Sequence, residues 1–135
     1  MKAKMNVTEL SHDDIVEILS SLYGEGDFYL DKVDGEEYEK AEDDCYEDIL
    51  ARHLLNGGNI VIVDNNAEGE VYGNLPHKIG EYDSVEYTVS YKDFLKGMQC
   101  NEALPYVMDM IKENNDYWTS YNLIQCVLFG EIIYG

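Results

Sequence analysis

The run Tyr38-Glu-Lys-Ala-Glu-Asp-Asp-Cys-Tyr-Glu-Asp-Ile-Leu-Ala-Arg-His-Leu-Leu-Asn-Gly-Gly-Asn-Ile-Val-Ile-Val-Asp64 changes character twice. It begins as a dense acidic stretch and becomes amphipathic at helical spacing. It stops at Asn56-Gly57-Gly58, then restarts as an apolar, β-branched segment from Asn59 to Asp64. At 100° per residue, Tyr38, Cys45, Tyr46, Ile49, Leu50 and His53 fall on one side of a helix, and Glu36, Glu37, Asp43, Asp44, Glu47 and Asp48 on the other. Glu42 lands on the apolar side, so the helix is expected to start near Glu42 or Asp43, leaving residues 25–41 as an acidic irregular segment. Residues 59–64 read as a strand buried on both faces, because a run without polar alternation has no side to offer water.

Working downstream, Asp64-Asn65-Asn66-Ala67-Glu68-Gly69 is turn chemistry, and residues 70–73 read as a returning strand. Val85, Tyr87 and Val89 alternate with Glu86, Thr88 and Ser90, so residues 85–90 read as a half-buried strand. Upstream, Ser11 can cap a helix whose buried stripe is Ile15, Ile18, Leu19 and Leu22, with Gly24 as its stop. Ser90 and Asp93 form a capping-box pattern before a short helix ending near Gly97. Asn101 can cap a helix through Ile111, with Pro105 tolerated in the first turn. Thr119 or Ser120 opens a last helix with Tyr121, Ile124, Leu128 and Ile132 inward. The expectation is a single α+β domain over residues 1–135. In it a small three-stranded antiparallel sheet (about 59–64, 70–73 and 85–90), arranged as a meander, is packed on one face by four to five helices.

At 135 residues such a chain removes roughly two-thirds of its unfolded surface from water on folding. Charge is the anomaly. There are 28 acidic and 9 basic side chains, a formal net charge of −19, and Arg52 is the one arginine. Residues 25–48 alone hold twelve acids against Lys32 and Lys40. Phosphate backbones are held by lysine and arginine that displace counterions, so direct nucleic-acid binding is not expected. An anionic membrane surface would repel the chain for the same reason. No apolar run approaches the ~18 residues of a membrane span. Cys45, Cys100 and Cys126 show no metal-ligand spacing, and no apolar leader follows Met1-Lys-Ala-Lys-Met5. Free thiols in a reducing, cytoplasmic setting are expected.

Chemistry-bearing motifs are few. Asp64, Asn66, Glu68 and Gly69 match the first positions of a calcium loop, but the bidentate acid would have to be Leu75, and a hairpin tip is the better reading. Asp43 with Glu47 and Asp44 with Asp48 are i, i+4 carboxylate pairs that could hold a hard cation or lie on a solvated face. His12, His53 and His77 share no ligand spacing, and His53 reads as a hydrogen-bonded core histidine. No nucleophile elbow and no glycine-rich phosphate loop occurs, so no catalytic residue, cofactor or metal is assigned. Twelve tyrosines remain. Tyr23, Tyr46, Tyr87 and Tyr121 suit the core, whereas Tyr29, Tyr38, Tyr82 and Tyr117 lie in acid-rich or loop surroundings, where tyrosine favours interfaces.

The segments Cys45-Tyr46-Glu47-Asp48 through Leu54-Leu55-Asn56-Gly57-Gly58, Val71-Tyr72-Gly73-Asn74-Leu75-Pro76-His77 and Glu86-Tyr87-Thr88-Val89 resemble small uncharacterised acidic proteins carried by phages and mobile elements of anaerobic gut bacteria, over residues 10–135. That resemblance brings no function and no site. In charge and size the chain also resembles DNA-mimicking inhibitors of restriction and CRISPR nucleases. The leading expectation is a non-enzymatic binder of a basic protein surface, such as that of a nucleic-acid-binding protein. Glu36, Glu37, Asp43, Asp44, Glu47 and Asp48 would supply charge, with Tyr29 and Tyr38 as anchors. Duplex DNA carries one charge per ~1.7 Å of axis, a density that crowded carboxylates can approximate. The alternatives are an interaction or assembly module, homo-oligomeric through a tyrosine-bearing face, whose acidity only confers solubility, and a small enzyme or metal protein.

Overall fold

The computed structural model describes residues 7–22, 28–34, 46–113 and 116–134. Among these residues five helices, α1 (His12–Leu19), α2 (Tyr46–Leu55), α3 (Tyr91–Met98), α4 (Leu104–Ile111) and α5 (Tyr117–Phe129), pack with four strands, β1 (Phe28–Asp34), β2 (Asn59–Asp64), β3 (His77–Ile79) and β4 (Val85–Val89). The class is α+β, as expected. All pairings are antiparallel in the order β1-β2-β4-β3.

Local signals explain most boundaries. Ser11 Oγ accepts from the Asp14 N–H at 3.1 Å while the Asp14 carboxylate accepts from the Ser11 N–H at 2.9 Å, a reciprocal cap on α1. Ser90 and Asp93 repeat the device on α3. β4 turns Val85, Tyr87 and Val89 inward as its alternation requires. β2 is buried on both faces: Ile60 and Ile62 join the main core, and Val61 and Val63 are buried on the other side. At the centre lies α5. Ten of its thirteen residues are buried, so it serves as the post on which α1, α3 and α4 pack.

Four expectations need correction. Residues 25–41 are not irregular throughout, because Phe28–Asp34 forms edge strand β1, with a register shift between Leu30 and Lys32 that leaves Asp31 unpaired with β2. Residues 70–73 are not a strand. Gly69 and Gly73 bracket them with left-handed φ of 78° and 74°, and a Cβ on Gly73 would meet the Leu128 carbonyl oxygen at 2.7 Å. The segment is thus pressed against the end of α5, and the Tyr72 N–H donates to the Tyr87 hydroxyl at 3.2 Å instead of to a strand. The sheet is consequently not a three-strand meander: the hairpin joins β3 to β4, and β4 returns beside β2. Two helix starts also move. A 3₁₀ turn, Asn101–Ala103, precedes α4, and α5 opens at Tyr117 with Asp116 accepting from the Thr119 N–H at 3.0 Å. The Gly24 stop lies outside the described residues.

Candidate functional site

The β3–β4 turn carries the most unusual surface among the described residues. Ile79 faces Val85 across the pair, and the Gly80 N–H donates to the Ser84 carbonyl at 2.8 Å, closing the loop. Within it Tyr82 and Asp83 both take left-handed conformations, with φ of 55° and 60°. For residues with a Cβ this costs roughly 1–2 kcal/mol each. No packing offsets it, since Tyr82 is 98% exposed. The neighbouring loop is pinned to the turn by the Gly69 N–H donating to the Asp83 carbonyl at 2.7 Å, and Glu68 is itself left-handed, at φ 51°. Glu68 and Glu70 on the pinned loop and Glu81 and Asp83 on the turn are all exposed. They make no ion pair among the described residues; the nearby lysine, Lys78, reaches Glu86 at 3.9 Å.

The turn rests on a rigid base. Asp64 ends β2 at the same end of the sheet and is 0% exposed. It accepts from the Asn66 N–H at 2.8 Å and from the Tyr134 hydroxyl at 2.8 Å. The calcium-loop pattern is thereby used structurally, and no group of three or more metal-ligating side chains forms among the described residues. The Tyr134 ring packs against Phe28, Tyr72 and Phe129 at centroid distances of 5.9, 6.2 and 6.0 Å. Burial first, and then the Asp64 carboxylate, push the Tyr134 hydroxyl up from the ordinary tyrosine value; burial also raises Tyr87. Buried Gln125 completes the base by accepting from the Ile133 and Tyr134 N–H groups at 2.9 and 2.7 Å.

The described part of the sequence-assigned site lies elsewhere. Glu36, Glu37, Tyr38, Asp43 and Asp44, with Cys45, lie outside the described residues. Tyr29 is in β1 opposite Val63. Glu47 and Asp48 occupy the first turn of α2, where the macrodipole favours them. The Asp48 carboxylate meets His12 Nε2 at 2.7 Å, so it braces α1 against α2. Asp34 pairs with Asn59 at one end of the sheet, while the Tyr82 turn projects from the other. His53 corrects its expectation in one respect: its Nε2 is buried without a hydrogen-bond partner, lodged over Gly58.

Sequence reasoning noted Tyr82 as a loop tyrosine among acids but could not supply its backbone conformation. It missed a cleft of about 550 Å³ between the 74–76 loop, the end of α3 and the end of α5. The one carboxylate lining that cleft, Asp93, is committed to capping α3. Among the described residues no helix is long and apolar enough to cross a membrane. No family model matches the chain, and neither a curated protein nor a solved structure does.

Proposed function

We propose that this chain is a non-enzymatic, acidic protein-binding domain whose partner offers a basic surface of the kind that normally holds a nucleic acid. The observation that carries the reading is Tyr82, held fully in water on a left-handed backbone among Glu68, Glu70, Glu81 and Asp83. The Gly80–Ser84 and Gly69–Asp83 backbone hydrogen bonds hold the left-handed turn in place, yet the ring that it presents buries nothing inside the chain. A partner that covers the ring and meets the four carboxylates with lysine or arginine gives that exposed ring a use. Net charge of −19 steers such a partner from a distance, and the ring supplies contact area once it arrives. The twelve acids of residues 25–48 contribute to that net charge.

The test is capture of basic proteins from the native host's lysate by the immobilised chain, at low and high salt, with competing duplex DNA as a further arm. Glu68→Gln/Glu81→Gln/Asp83→Asn should abolish capture. Glu9→Gln/Asp13→Asn/Glu113→Gln, which removes the same charge from other exposed positions, should weaken it only slightly. Equal losses in the two variants would refute a site at the turn.

A second reading, an assembly module, is favoured by α4. Leu104, Met108 and Ile111 recur at i, i+4 and i+7 along it. Ile111 and, at the start of α5, Trp118 are 59% and 57% exposed, and α5 carries no charged side chain. Ile111→Glu should convert a concentration-dependent oligomer to monomer in sedimentation. A monomer at all concentrations would remove this alternative.

A further inference from the structure

We infer that Cys100 and Cys126 form a redox-active dithiol at the side of the 550 Å³ cleft, with a hydroperoxide as the oxidant. The argument begins with a glycine. α3 and α5 cross at Gly97 and Val127 so closely that a Cβ on Gly97 would lie 2.6 Å from the Val127 Cα. Cys100 stands one turn beyond Gly97, where the chain leaves α3 and turns into the Asn101–Ala103 segment, and Cys126 adjoins Val127. The backbone contact therefore brings two residues far apart in sequence onto neighbouring turns of the two crossing helices. Both line the same cleft, and the Cys100 thiol is close enough to Cys126 to raise its proton affinity.

Their environments differ in the way the chemistry needs. Cys100 is partly exposed and can be reached through the cleft. Cys126 is 1% exposed, and burial followed by the neighbouring Cys100 thiol pushes its proton affinity up, so on its own it is inert. The Cys100 sulfur attacks the terminal peroxide oxygen. The O–O bond breaks, the peroxide is reduced to water or an alcohol, and Cys100 becomes a sulfenic acid. The Cys126 sulfur then attacks the Cys100 sulfur. The S–S bond forms as the S–O bond breaks, and the departing hydroxide leaves as water with the Cys126 proton. The two thiols lose two electrons, which the peroxide gains. Burial of Cys126 beside Cys100 favours this closure over further oxidation of Cys100 and over linkage to a second chain. The product ties the end of α3 to α5 along one wall of the cleft, and a thiol reductant reverses it.

The experiment uses the full-length chain carrying Cys45→Ser, so that two thiols remain, treated with hydrogen peroxide and then alkylated. Both thiols are expected to become unreactive, the mass to fall by two hydrogens, and peptide mapping to show Cys100 joined to Cys126, all restored by dithiothreitol. Adding Cys126→Ala should halt the reaction at a sulfenic acid on Cys100 that dimedone captures. As an arm that needs no oxidation, one equivalent of phenylarsine oxide should bind the reduced chain and should not bind the chain with Cys126→Ala. The inference is overturned if Cys126 stays alkylatable after peroxide, if a dimedone adduct accumulates on Cys100 with Cys126 intact, if linkage occurs between chains, or if the arsenical fails to bind.

Discussion

α5 and the β3–β4 turn are opposites built on one scaffold. Along α5 nothing is charged, ten of thirteen residues are buried, and polar groups such as Gln125 satisfy the backbone of residues 133 and 134. In the turn, Glu81 and Asp83 flank a ring that is wholly in water, and the backbone is strained to keep it there. A −19 chain folds because its acids are kept off the first region, and the cost of crowding them is borne by surface that packing does not need. Stability and binding should therefore be separable by mutation, and the two regions should respond on different scales.

The largest effect is expected at Phe129, whose ring meets Phe28, Tyr72, Tyr87 and Tyr134 within about 6 Å. Phe129→Ala should cost ~3–5 kcal/mol in denaturant unfolding. A loss under about 1 kcal/mol would mean that the aromatic cluster does not anchor the end of α5. Tyr134→Phe should cost ~1–3 kcal/mol near neutral pH, because it leaves the buried Asp64 carboxylate short of a donor.

That variant also has a pH signature. Tyr134 and Tyr87 hold their protons more tightly folded than unfolded. Their contribution is complete below the unfolded tyrosine value of 10.0 and is lost as pH rises beyond it. The loss should run at up to about 1.4 kcal/mol per pH unit for each tyrosine. Tyr134→Phe should flatten the alkaline decline measured by unfolding between pH 9 and about 12; an unchanged slope would contradict the burial of its hydroxyl.

How far these regions were legible in the sequence follows from the kind of signal each leaves. β4 and the Ser11 and Ser90 caps were readable because alternation and capping are local. The two-faced burial of β2 was readable from its unbroken apolar run. β1 was hidden because an edge strand tolerates charge: Asp31, Lys32 and Asp34 sit among Phe28, Tyr29, Leu30 and Val33 and mask their β character. Val71-Tyr72 looked like a strand between glycines, yet its fate was set by the end of α5 and by the Tyr87 hydroxyl, partners that no local pattern names. The Asp116 cap was available three residues before Thr119, but Thr119 and Ser120 competed for the same role and are instead buried in α5. Of the candidate site, the pairing of tyrosine with carboxylates was legible as chemistry. Its location was not, because left-handed φ at Tyr82 and Asp83 is fixed by the Gly69 and Ser84 hydrogen bonds. The proximity of Cys100 to Cys126 depends likewise on a helix crossing at Gly97.

Smaller effects sharpen the contrast further. Asp116→Ala should cost ~1 kcal/mol by uncapping α5. Tyr82→Gly should change stability by less than about 1 kcal/mol, in the stabilising direction, since it relieves strain and removes no contact. The same substitution should reduce partner capture sharply. Destabilisation by Tyr82→Gly would show that the ring does serve the fold.

The most direct measurement is the affinity of a captured basic partner across a salt series, for the unaltered chain and for Glu81→Gln/Tyr82→Ala/Asp83→Asn. A partner held by this turn should bind the unaltered chain tightly at low salt and progressively less as salt rises, and the variant should bind weakly with a shallower dependence. Affinity indifferent to salt, or equal in the two chains, would contradict the assignment of binding to the acidic turn.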